Sequence, residues 1–178
     1  PNVTARNLRF SRTNLIGYAW HEVPLSRVNP VLDRFTYYLA HAAEEAGYHV
    51  LTFTHPEKDP LPAYQELMRM RRLDGFVLSE SQLNDPRVSM LLEEDFPFVI
   101  FGRTTAPDDR IAWADVDGES GVAMAIKHLV ELGHRRIGIV GWDNQTTVNY
   151  FRLKGFRSAM TRAGLPVPAD YIILGDRG

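Results

Sequence analysis

The stretch from Trp113 to Gly141 reads W-A-D-V-D-G-E-S-G-V-A-M-A-I-K-H-L-V-E-L-G-H-R-R-I-G-I-V-G, and its periodicity decides the fold class. Trp113 to Val116 is a short apolar run, read as a strand, that leads into Asp117. A carboxylate there can accept the free N–H groups of a first helical turn, so Asp117 suits an N-cap. Glu119 suits the positive end of the same helix. Val122, Ala125, Ile126, Leu129 and Val130 recur at i, i+3, i+4, i+7 and i+8, which predicts one apolar helix face. Gly133 falls where a helix end needs a left-handed residue. Ile137 to Val140 then reads as a buried strand closed by Gly141. Strand, helix, strand is the unit from which parallel sheets are built.

Working outward, the same alternation recurs. Leu15–Trp20 reads as strand one, followed by a loop from His21 to Val28. Asn29-Pro30 opens a helix, with Asn as cap and Pro at its first position. Leu32, Phe35, Leu39, Ala42, Ala43 and Ala46 supply its apolar face, and Gly47 stops it. His49–Phe53 is strand two. After a loop begun by His55-Pro56, Leu61–Arg72 reads as a helix. Gly75–Ser79 is strand three. Asp85-Pro86 starts another helix, with Val88, Leu91 and Leu92 inward. Phe98–Phe101 is strand four and ends at Gly102-Arg103. A polar loop, Thr104 to Arg110, leads to the central stretch. Beyond Gly141, the polar loop Trp142–Thr147 precedes a helix with Leu153, Phe156, Met160 and Ala163 inward. Gly164 and Pro166 end that helix, and Tyr171–Leu174 is a last strand. The pattern implies a parallel sheet with helices on both faces. No solenoid-length repeat or low-complexity tract interrupts it.

Composition agrees with a globular α/β chain. Of 178 residues, 44% are apolar and 24% charged, with a net charge of −2. That balance argues against a broad nucleic-acid-binding surface on the body of the chain. With no cysteine, disulfides, thiolate catalysis and cysteine metal sites are excluded. No run of 18 apolar residues is present, so no membrane segment is expected, and no signal peptide is visible. A chain opening on Pro1 reads as cut from something longer.

Catalytic motifs are missing. There is no G-x-S-x-G, P-loop or H-E-x-x-H, and G-I-V-G at Gly138–Gly141 is not a dinucleotide fingerprint. Neither a cofactor nor a metal site is expected: the six histidines are scattered, and His49 and His55 share no strand face with a third ligand. Glu93, Glu94 and Asp95 read as a solvated helix end. Binding is better supported. Open α/β sheets hold ligands outside the carboxyl ends of their strands. Trp20, His21 and Asn29 follow strand one there, Ser79 and Glu80 follow strand three, and Arg103 follows strand four. Trp142, Asp143, Asn144 and Thr146 follow the strand ending at Val140, and Arg152 lies on the next helix. Aromatic faces can stack on the C–H faces of a polyhydroxylated ligand while Asn, Glu and Arg pair with its hydroxyls. The competing readings are surface salt bridges for the arginines, core packing for the tryptophans, and plain loop positions for Ser79 and Glu80.

D-V-D-G-E-S-G followed by A-I-K-H-L-V-E-L-G-H-R-R-I-G-I-V-G resembles the centre of a LacI/GalR-type transcriptional regulator. The resemblance implies a periplasmic-binding-protein-like fold, with two α/β subdomains flanking a ligand cleft behind a helix-turn-helix that lies outside this chain. It implies a hinge-helix remnant over 1–12, a first effector-binding subdomain over 13–116 and the opening part of a second over 117–178, with the crossing near Asp117. Further segments of the second subdomain are expected beyond Gly178. P-N-x-x-A-R-x-L at the N-terminus is similar to the family's hinge helix, which makes Asn2, Ala5 and Leu8 hinge residues and Leu8 a wedge for the minor groove. Arg6, Arg9 and Arg12 there have no balancing acid. Without DNA so short a helix is marginal, and a solvated terminus is the alternative.

Within the pattern, Arg103 takes the arginine of the strand-end V-I-x-D-R, but Gly102 stands where the family has Asp. Arg152, in R-L-K-G-F, matches the arginine of R-x-x-G-F, a clamp from the second subdomain. Asn29-Pro30 resembles N-P-F-F, with Val31 and Leu32 in place of its aromatics; Trp20 or Trp142 is left to supply a ring. The function implied is that of a cytoplasmic, homodimeric regulator responding to a small, sugar-like effector. A periplasmic sugar-binding protein of a transport system is the alternative, and the hinge-like N-terminus separates the two. A sugar-modifying enzyme is the third reading, against which the lack of a nucleophile, cofactor loop or carboxylate pair weighs.

Overall fold

The computed structural model describes residues 12–21, 30–56, 58–105, 108–142 and 145–175. In chain order the elements are β1 (Leu15–His21), α1 (Pro30–Glu45), β2 (His49–His55), α2 (Leu61–Arg69), β3 (Gly75–Ser79), α3 (Pro86–Glu93) and β4 (Phe98–Phe101). They continue with β5 (Ala112–Ala114), α4 (Gly118–Glu131), β6 (Ile139–Trp142), α5 (Thr147–Arg162), a 3-10 turn (Ala169–Tyr171) and β7 (Ile172–Gly175). The first five strands take the order β2-β1-β3-β4-β5, and β6 pairs with β7. β1 is parallel to both β2 and β3, with Leu15 opposite His49 and Ile16 opposite Gly75. β6 and β7 are also parallel, Ile139 opposite Ile172. The α/β, parallel-sheet reading is therefore correct.

By residue contacts the chain divides into two compact units. One comprises Pro1–Ser79 and Asp85–Val99, the other Glu80–Asn84 and Ile100–Gly178. In the first, the core is built on Tyr18, Phe76, Leu78, Val88 and Leu91, all buried. An aromatic cluster fills it, with ring centroids 5.0 Å apart for Phe53–Tyr64, 4.8 Å for Tyr64–Phe76 and 5.4 Å for Phe76–Phe96. Such edge and tilted contacts suit the ring quadrupoles. Asp74 anchors the start of β1, taking N–H donations from Thr13 and Asn14 at 2.8 Å each.

In the second unit Ile126, Ile137, Phe156, Ala159 and Met160 are buried together, flanked by Val122, Ala123, Leu129, Ile139 and Ile172. Two helix starts follow the capping rule. Asp117 accepts the Ser120 N–H at 3.0 Å, and Thr146 accepts the Asn149 N–H at 3.4 Å. Gly155 lies where α4 and α5 meet, and a Cβ there would run into the Glu119 backbone.

Several expectations need correction. The strand read at Trp113–Val116 is Ala112–Ala114 and exposed along its length, because it is the last strand in the sheet order and its side chains have one flank only. The strand read at Ile137–Val140 begins at Ile139 and runs through Trp142, with Val140 exposed. α2 ends at Arg69, since Arg71 adopts a positive φ of 50°. Ala42, Ala46, Ala125 and Ala163 are exposed, while Ala123 and Ala159 pack inward. A methyl side chain is indifferent enough that periodicity assigns it to either face. β2 runs two residues further than read, through His55.

Candidate functional site

The strand-end residues of the first unit are held by a buried polar network. Asp85 caps α3, accepting the Arg87 backbone N–H at 3.0 Å. The Arg87 side chain turns back onto the same carboxylate, its Nε donating to Oδ1 at 3.0 Å and its Nη2 to Oδ2 at 2.7 Å. Nη2 also donates to the Ser79 carbonyl at 3.1 Å, and Nη1 to the Tyr64 hydroxyl at 3.4 Å. Burial alone would lower the Arg87 pKa, but the hydrogen bonds and charge of Asp85 outweigh it and the guanidinium is held protonated. Burial pushes the Tyr64 hydroxyl above its ordinary range. Ser79 is itself buried, its hydroxyl 3.2 Å from the Tyr18 hydroxyl. Trp20 ends the same strand 38% exposed, edge-on to Tyr18 with centroids 6.3 Å apart. It is accessible to a ligand face in a way that Ser79 is not. His21 is the last residue of β1, in register with His55.

In the second unit the polar chemistry gathers around Arg103. Its guanidinium carbon lies 4.8 Å from the Phe151 ring centroid and 5.2 Å from that of Trp113. Two carboxylates face it: Asp115 Oδ2 is 3.6 Å from Nε, and Asp117 Oδ1 is 3.9 Å from Nη2. Both separations are too long for hydrogen bonds, so the attraction is one of charge. Nε is buried and has no hydrogen-bond partner among the described residues. The Asp117 carboxyl is held below its ordinary range first by the Ser120 N–H it caps, and to a smaller degree by Arg103.

Arg152, one residue after Phe151, is exposed and runs beside the start of α4: a Cβ on Gly118 would lie 3.3 Å from Arg152 Cγ. By residue contacts Arg103 and Arg152 are both grouped in the second compact unit. Trp142 is 54% exposed at the end of β6, and its carbonyl accepts from Asn149 Nδ2 at 2.8 Å. Thr146 is buried at the start of α5. Glu80 is half-buried, in a left-handed conformation at φ 50°. Asn29, Asn144, Asn2, Ala5 and Leu8 lie outside the described residues.

Sequence reasoning missed the two rings that the Arg103 guanidinium lies over. The sequence places Trp113 only at the start of a short apolar strand and gives Phe151 no role. Phe151 sits next to Arg152 on α5, and nothing in the helical period marks it as a partner for a residue on another element. Ser81 was also missed. Its carbonyl accepts from Thr147 N at 2.9 Å and Thr147 Oγ1 at 3.2 Å, and Leu83 N donates to Gln145 O at 2.7 Å. These bonds tie the segment after β3 to the start of α5.

Parallel α/β units with aromatic and guanidinium groups at their strand ends define a class of small-ligand-binding domain. Residues 24–177 match the family described as periplasmic binding proteins and sugar binding domain of LacI family, and the chain belongs to that family. Among similar proteins, the ribose operon repressor of Escherichia coli (strain K12) is 28% identical over 186 residues, covering 99% of this chain and 52% of its own. The HTH-type transcriptional regulator DegA of Bacillus subtilis (strain 168) is 30% identical over 181 residues, covering 97% and 51%. Among solved structures, a regulatory protein of LacI family from Chloroflexus aggregans is 40% identical with a TM-score of 0.83, covering 93% of this chain and 59% of its own. The chain spans about half the length of the curated relatives it matches.

Proposed function

We propose that the chain is the effector-binding part of a ligand-responsive transcriptional regulator, and that its ligand is a small carbohydrate-like molecule whose binding controls attachment to operator DNA. The observation that carries this reading is the family match over residues 24–177, supported by similarity to an operon repressor and to a LacI-family regulatory protein. Trp20, Arg103, Trp142 and Arg152 are the ligand contacts we favour. His21, Asn29, Glu80, Asn144 and Thr146 lie at the same strand ends, and Ser79 acts there through its backbone anchor to Arg87. DNA is contacted through a helix-turn-helix outside this chain and through a hinge over residues 1–12, with Asn2, Ala5 and Leu8 in that hinge. The effector-binding subdomains are 13–116 and 117–178. The shared core of α4, α5, β6 and β7 supports a crossing near Asp117. The protein acts in the cytoplasm, where operator DNA is; among the described residues no helix is long and apolar enough to cross a membrane.

The working form in this reading is a homodimer. α1 supports it by exposing Val31, Tyr37 and Tyr38, each at least 60% accessible. Arg34, Tyr38, His41 and Glu45 recur at i, i+4, i+7 and i+11 and are all exposed, so they form one stripe. Antiparallel pairing of two α1 helices about a two-fold axis sets Arg34 against Glu45 and Tyr38 against His41 of a second copy, a self-complementary match.

A thermal-shift screen of the full-length protein against mono- and disaccharides tests the function. At least one sugar should raise the melting temperature in a saturable way, as any ligand that binds only the native state must. No shift with any sugar, alongside a shift with a chemically unrelated ligand, would replace the carbohydrate reading.

A further inference from the structure

Within the second unit, α4 and α5 flank a groove of about 560 Å³, lined by residues of these two helices and by Ala163, which caps α5. Its floor is small and apolar. Ala123, Ala159 and Ala163 end at Cβ, so side chains leave the space between the helices unfilled, while Ile126 and Val130 join it to the core. Met124 also lines it and is 71% exposed. Cations dominate the charged lining. Arg162 is exposed and has no ion pair among the described residues. Lys127 is a second cation, and the one acid of the lining, Glu131, lies 3.8 Å from its Nζ. Arg135 adds a third, its Nη1 donating to the carbonyl of the lining residue Val130 at 3.2 Å. That bond is about 20 Å along α4 from the Asp117 cap at the helical rise, so this charge is not that of the Arg103 cluster.

We propose that the groove is a second ligand site, for a small amphiphile with an apolar body and a carboxylate head. The body covers Met124 and the alanine floor. The head pairs with Arg162, whose planar fork donates two N–H groups to a carboxylate. The volume lies within the roughly 300–1,000 Å³ of small-ligand sites. A protein partner fits less well: the lining is ten residues, against about 20–30 a side in a stable protein interface. A second copy would bring the same excess of positive charge, which repels. The proposal rests on the groove alone and not on the carbohydrate reading.

The test uses the full-length protein, as parent, Arg162→Gln and Ala163→Phe, with decanoate, decyltrimethylammonium and acetate as probes. Binding is read by calorimetry, and oligomeric state by sedimentation without probe. Both substituted residues are exposed, so the variants should melt and sediment as the parent does. Decanoate should bind the parent at one saturable site. Acetate and decyltrimethylammonium should bind at least about tenfold more weakly, since each lacks half of the match. Arg162→Gln should weaken decanoate about tenfold, through loss of one charged hydrogen-bond partner. Ala163→Phe should abolish its binding by filling the groove. A saturating sugar from the screen should not displace it. A parent that binds no decanoate, or binds decyltrimethylammonium equally well, would overturn the proposal. So would decanoate binding that survives both variants unchanged or yields to sugar, which would place it elsewhere. A lower oligomeric state for Ala163→Phe would make the groove an interface between copies. Tighter binding of an amphipathic leucine–glutamate peptide helix than of decanoate would make it a protein-docking face; either result replaces the small-ligand assignment.

Discussion

Arg103 and Arg152 carry the same charge in different surroundings. Arg103 lies over the rings of Trp113 and Phe151 and faces two carboxylates; its place is set before any ligand arrives. Arg152 is exposed beside the start of α4, where its charge can meet an incoming hydroxyl. Replacing it should therefore act on binding far more than on folding. Loss of a charged hydrogen-bond partner costs about 1.5–3 kcal/mol, which corresponds to roughly tenfold to hundredfold in affinity. Calorimetry of full-length Arg152→Ala with a sugar that binds the parent should read that loss, with little change in melting temperature. Parent-like affinity would make Arg152 a surface residue. Both arginines were legible in the sequence, Arg103 from its place after strand four and Arg152 from its match to R-x-x-G-F. Their surroundings were not. Periodicity reports which face of one element is apolar, and the surroundings of Arg103 are assembled from three: the end of β4, β5 and α5.

Among the elements, the meeting of α4 with α5 is the tightest feature. Gly155 lets α5 approach the Glu119 backbone at the first turn of α4, where a methyl group has no room. Backbone cannot move aside as a flexible side chain can, so Gly155→Ala should separate the two helices. Overpacking of this kind costs about 1–3 kcal/mol, and urea unfolding monitored by circular dichroism should show it as a lower midpoint. An unchanged midpoint would mean that the helices slide without loss of packing. Both caps at this pair were readable in part: Asp117 from its place before an apolar period, and Thr146 only as a loop residue. The apolar stripe of α4 was readable through Ile126 and Leu129 but not through its alanines. The period places Ala125 inward but it is exposed, whereas Ala123 packs on the core. Volume and branching make a side chain's burial decisive, and alanine has neither.

For the whole molecule, the alternation of strand and helix was enough to give the parallel α/β class, and the long central motif was enough to give the family. The sequence was less informative at the margins of the sheet. β5 is exposed throughout, which its apolar run in the sequence does not reveal. In the homodimer proposed above, Tyr38→Glu should shift the full-length protein to monomer, because it removes the tyrosine ring from the α1 contact and sets two carboxylates near the two-fold axis. Sedimentation at micromolar concentration checks this, and a dimer that survives would move the interface elsewhere. Control of DNA binding requires that effector and operator each discriminate between two states of the protein, so each must weaken or strengthen the other through one coupling free energy. The direct measurement is operator affinity of the full-length protein, using a duplex selected by that protein from random sequence, with and without a saturating sugar taken from the screen. The account predicts that the sugar shifts operator affinity by at least about fivefold, in one direction, at constant salt; equal affinity with and without the bound sugar would contradict it.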